Sequence, residues 1–210
     1  MASRAVAATA AVLGTISGLL LVRAVAPASL ADYVSASAVP GQPHTLAYRL
    51  GIFGLAATAA LLAVVTRSIV ALPLAVAVPM IALSGAVTCT PGCPLPPYEQ
   101  TTAQDLVHAT TSVLGVGLCA LAMLAGAWRG SRFSKIAIFV TWPLLAGTAI
   151  GIVAVGRGSV TGVLERLGLV ACVMWLVGFA LGHAARSSRS PRSPRSAGSP
   201  RSAGASRYPG

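Results

Sequence analysis

Acidic side chains are nearly missing from this sequence: of 210 residues only Asp32, Glu99, Asp105 and Glu165 are Asp or Glu. Lysine occurs once, at Lys135, against 14 arginines, and charged residues of all kinds make up 9% of the chain. A water-soluble domain keeps its surface wet with about a quarter of its residues charged, so a soluble fold of this length is excluded. Apolar and polar positions do not alternate, which excludes the strands of a membrane barrel. Of the three histidines, His44, His108 and His183, only His108 lies well within an apolar run, too few for the stacked ligands of a haem or quinone redox protein. Aromatic residues are 5% of the chain and do not interleave with its basic tract, and no folded reader domain is present, so no nucleic-acid partner is expected.

What the chain has in abundance is apolar length. Hydrophobic residues are 55% of the sequence and mean hydropathy is +0.80. Six runs near 20 residues recur, at about Ala5 to Val25, Leu46 to Thr66, Ile69 to Val87, Leu106 to Trp128, Ile136 to Val155 and Val160 to His183. At about 1.5 Å per residue each is long enough for a hydrocarbon core of roughly 30 Å, and helices pair every backbone group within the span. The expected fold is therefore all-α: a polytopic membrane protein with a six-helix transmembrane domain over residues 1–185, followed by a basic tail over 186–210. The first run also has features of a signal peptide, with Arg4 as its charged flank and Ala24, Val25 and Ala26 as small residues. Its length and Pro27 just beyond favour a retained helix.

Orientation follows from the arginines. With the N-terminus inside, Arg4, Arg67, Arg129, Arg132, Lys135 and six tail arginines fall on the cytoplasmic side, whereas all four acids and Arg23, Arg49, Arg157 and Arg166 fall outside. Both termini are then cytoplasmic and the expected location is the bacterial plasma membrane. The tail repeats Ser-Pro-Arg-Ser-Ala-Gly twice and has almost no apolar side chains to bury, so it reads as disordered, its arginines available to anionic lipid headgroups.

Between the third and fourth runs lies the polar, proline-dense stretch CTPGCPLPPYEQTTAQDLVH, Cys89 to His108. Thr90, Pro91 and Gly92 are turn residues able to bring Cys89 and Cys93 together. A disulfide-closed loop is the first reading, with free thiols or a metal shared with His44 or His108 as alternatives; a single Cys-x3-Cys without a matched pair assigns neither metal nor cofactor. Thr101 or Thr102 can cap the helix beyond it, with Asp105 in its first turn. Asp105, His108, Ser112, Gly115 and Cys119 share one face of that helix, which is expected to point into the bundle. Arg49, Asp105, His108 and Glu165 sit at similar depth and form a candidate outer polar pocket, the alternative being that each anchors separately in the headgroup zone.

Other features concern packing. Gly14/Gly18, Gly147/Gly151 and Gly178/Gly182 have the GxxxG spacing that lets helices approach closely, which leaves a homo-oligomer open. Pro73, Pro79 and Pro143 are expected to bend their helices. Ser84 reads as a packing residue rather than a nucleophile.

The segments DYVSASAVPGQPH, CTPGCPLPPYE and DLVHA together resemble the uncharacterised six-helix bacterial membrane family known as domain of unknown function 998. The resemblance covers roughly residues 5–183 and rests most on the Asp105 to His108 helix entry. It implies six spans and no assigned reaction, and the arginine-rich, Ala- and Gly-rich composition agrees with an actinobacterial source. The function expected is a permease, sensor or accessory protein meeting a small solute or lipid headgroup, with no catalytic residue assigned. The alternative is a membrane-embedded enzyme using His108 and Asp105 as an acid-base pair on a lipid-borne substrate.

Overall fold

A computed structural model describes residues 2–186, and every regular element in it is helical. The helices are α1 (Ala2–Val25), α2 (Thr45–Thr66), α3 (Ala71–Ala86), α4 (Ala103–Trp128), α5 (Arg132–Ala154) and α6 (Ser159–Arg186), with a short 3-10 helix at Val34–Ala38. The basic tail, read as disordered from its sequence, lies outside the described residues beyond Arg186, the last residue of α6.

Five helices, α1, α2, α4, α5 and α6, are long and apolar enough to cross a membrane. The third run differs: the span expected over Ile69 to Val87 contracts to 16 residues. That is about 24 Å of helix, short of a hydrocarbon core of roughly 30 Å. Both ends have a local cause. Arg67 takes a left-handed conformation, φ +39°, that closes α2, and the Ala71 amide then bonds to the Ser68 carbonyl in a turn. At the other end Val87 is extended, φ −90° and ψ 109°. Pro73 sits in the first turn of α3, where its missing N–H has no helical partner to lose. Pro79 is inside the helix and does remove a bond.

The helices form a closed ring in which each packs on its sequence neighbours and α6 returns to α1. One continuous core fills it, with Trp175, Leu176 and Phe179 of α6 meeting Met123 of α4, Leu62 of α2 and Leu74 of α3. Trp175 stacks on Phe179 with ring centres 5.0 Å apart, and its indole N–H donates to Ser134 Oγ at 3.1 Å. Small residues make the seams. A methyl group on Gly18 would lie 2.9 Å from Val173, and one on Gly151 would lie 2.8 Å from Thr161, so both glycines serve close approach to α6 within one chain. Gly182, by contrast, faces only Arg186 of its own helix.

Large apolar side chains point outward all around this ring, Phe139 at 86% exposure and Trp128 at 85% among them. So much exposed apolar surface on helices of this length is the pattern of a face turned to lipid.

Candidate functional site

The loops 26–44, 87–102 and 155–158 meet at one end of the ring, and the fourth helix begins beneath them. Thr102 is its N-cap: the Thr102 hydroxyl accepts from the Asp105 amide at 3.2 Å, while Asp105 Oδ2 accepts from the Thr102 amide at 2.9 Å and its hydroxyl at 2.7 Å. This is a capping box with Asp in the reciprocal position. The same carboxylate reaches across to the cysteine loop. Asp105 Oδ1 accepts from the Thr90 amide at 2.7 Å, and the Thr90 hydroxyl lies 3.0 Å from both carboxylate oxygens. Asp105, only 2% exposed, thereby locks the loop to the start of α4.

Within the loop Cys89 and Cys93 are joined as a disulfide, their Cα atoms 5.1 Å apart. The Cys93 amide closes a turn on the Thr90 carbonyl at 2.9 Å, with Gly92 in its third position at the positive φ (+89°) that glycine takes easily; Cys93, just after it, also has positive φ (+50°). Arg157 holds the other side. It donates to the Gly92 carbonyl, pairs with Glu99 at 3.2 Å and stands 5.8 Å from the Tyr33 ring centre. Burial pushes the Tyr33 phenol above its ordinary range, with Glu165 and Glu99 adding to the rise and Arg157 opposing it. Tyr98 donates to the Val153 carbonyl, and its ring covers Gly156, where a side chain would collide with it.

His108 lies one turn below Asp105 and is 2% exposed. Its Nδ1 is 2.6 Å from the Val87 carbonyl oxygen. A carbonyl can only accept, so Nδ1 carries a proton and in the neutral ring Nε2 presents its lone pair. Nε2 is buried and has no hydrogen-bond partner. Farther down the same face, Ser112 bonds to the His108 carbonyl at 2.8 Å and meets Ser84 Oγ at 2.7 Å, and Gly115 and Cys119 are buried too.

The four residues of the expected outer pocket thus have separate partners. Asp105 and His108 hold the same loop, residues 87–93. Arg49 donates through Nε to the Gly85 carbonyl at 3.2 Å, at the end of α3, and Glu165 accepts from the Val34 amide at 2.9 Å, under the 3-10 helix. No ion pair joins any of the four to another among the described residues. An open cleft of about 470 Å³ lies between the ends of α3 and α4, bordered by Val87, Thr88 and Gln104, and none of the four lines it. Three of the residues that organise this end are not among those four: Thr90, Arg157 and Arg166. Arg166 gathers the carbonyls of Ser29 at 2.7 Å, Asp32 at 3.1 Å and Leu30 at 3.3 Å. Their only sequence signal is position in or beside a loop, since a side chain that serves distant backbone carbonyls leaves no motif. No family model, curated protein or solved structure matches the chain.

Proposed function

We propose that this chain is a multi-pass protein of a bacterial plasma membrane, actinobacterial in origin and a member of the six-helix family it resembles, with an accessory or sensory role. It crosses the bilayer six times, α3 included, with both termini cytoplasmic and the disulfide-bearing end outside. That outer end meets a small anionic solute or an anionic lipid headgroup, and the arginine tail touches the inner leaflet. The observation that carries this reading is Arg49. Its guanidinium is anchored through Nε to the Gly85 carbonyl, while its two terminal nitrogens make no protein hydrogen bond among the described residues, which leaves a positioned, half-buried cation with donors to offer. An enzyme using Asp105 and His108 as an acid-base pair is less well supported, because the Asp105 oxygens are already occupied by Thr90 and Thr102 and the His108 Nδ1 by Val87.

Native mass spectrometry of the protein released gently from its own membrane tests the proposal. A retained anionic lipid or solute is expected in the unmutated chain and is expected to be lost in Arg49→Gln. Equal occupancy in both, or no adduct in either, contradicts it.

A further inference from the structure

Cys89, Cys93 and His108 converge: their sulfurs and a ring nitrogen all lie within 4.8 Å of one another, and all three side chains are buried. This cluster is independent of Arg49 and of any anion bound there. The loop that carries both cysteines is fixed independently of the disulfide, by Asp105 on the Thr90 amide and Arg157 on the Gly92 carbonyl. Reduction therefore leaves the two sulfur atoms side by side over the histidine. The His108 ring is fixed too, with Nδ1 held by a backbone carbonyl and Nε2 left as the unpartnered buried nitrogen. Metal-bound histidines are held in the same way, one ring nitrogen bonded to a carbonyl so that the other aims its lone pair at the ion.

We infer that the dithiol form of this site binds a zinc ion through Cys89 Sγ, Cys93 Sγ and His108 Nε2. Two thiolates and one divalent cation sum to zero charge, which suits a buried site, and two sulfurs with one imidazole suit zinc while leaving a fourth position open. Zinc ligands at about 2.3 Å for sulfur and 2.0 Å for nitrogen stand roughly 3.5–3.8 Å from one another in a tetrahedron, and the three ligand atoms here already lie within 4.8 Å of one another. Binding displaces one proton from each thiol. A protein or low-molecular-weight disulfide reverses it: the Cys89–Cys93 bond forms, the ion leaves, and the partner's S–S bond takes two electrons and two protons to give two thiols. The two states of the loop exclude one another, so zinc occupancy reports whether the surroundings are reducing.

The test uses the full chain in detergent, reduced with a phosphine and desalted anaerobically, then titrated with cobalt(II) as a spectroscopic stand-in for zinc. The result expected is one cobalt per chain with thiolate-to-cobalt charge-transfer absorption, bleached by added zinc and abolished when the same sample is oxidised with a disulfide. Reduced protein that keeps its helical circular dichroism but gives no such absorption would overturn the inference. So would a signal unchanged in His108→Gln, or one that disappears in the Cys119→Ser/Cys172→Ser variant while Cys89, Cys93 and His108 are intact. Comparison of the oxidised and reduced unmutated chain keeps the test decisive even if His108→Gln folds poorly.

Discussion

Asp105 concentrates more hydrogen bonds than any other acid in the described chain, and they divide into a local half and a distant half. The local half, Thr102 with Asp105, is legible in the sequence because a cap is a matter of three neighbouring residues. The distant half is not: Thr90 lies 15 residues away, and nothing in CTPGC says which carboxylate will receive its amide. His108 is similar, since its partner is the backbone carbonyl of Val87, a group every residue has. The two halves predict different costs. Thr102→Ala removes one cap and is expected to lower stability by about 1 kcal/mol. Asp105→Ala also strands the half-buried Thr90 amide, adding about 1 kcal/mol for that group, and should lower the thermal unfolding midpoint in detergent clearly further. Equal midpoints for the two variants would mean that the clamp on Thr90 contributes nothing.

At the scale of elements, helices are readable because an apolar run of 20 residues has few alternatives in a bilayer. Their ends are less so. The contraction of α3 comes from the left-handed Arg67 and the turn after it, and an arginine gives no warning of positive φ. The glycine spacing is visible, but which partner each glycine meets depends on ring closure between α1 and α6, a contact between the two ends of the described chain. Gly18→Leu should therefore destabilise by pushing Val173 away, whereas Gly117→Ala, with open space around it, should leave the unfolding midpoint unchanged or slightly raised. Ser134→Ala deprives the buried Trp175 indole of its acceptor and is expected to cost about 1–3 kcal/mol, seen as a lower midpoint together with altered tryptophan emission. A midpoint equal to that of the unmutated chain would show that the indole finds another partner.

For the molecule as a whole, composition points to lipid as the solvent, and the proposed orientation rests on the arginines. An almost acid-free chain with outward-facing Phe139 and Trp128 has the surface of a protein held in lipid, and we propose that its loop-bearing end, with the disulfide, Arg49 and Glu165, lies outside. Single reporter cysteines in a chain otherwise free of cysteine, carrying Cys89→Ser, Cys93→Ser, Cys119→Ser and Cys172→Ser, measure this directly. The three positions are Gln42 in the exposed loop after α1, Ser3 at the start of α1, and Phe139 on the outward face of α5. Whole cells treated with a membrane-impermeant maleimide are expected to label Gln42→Cys at once, Ser3→Cys only after the membrane is opened, and Phe139→Cys in neither condition. Labelling of Ser3→Cys on intact cells with Gln42→Cys protected, or ready labelling of Phe139→Cys, would contradict a bundle that crosses the bilayer with its cysteine loop outside.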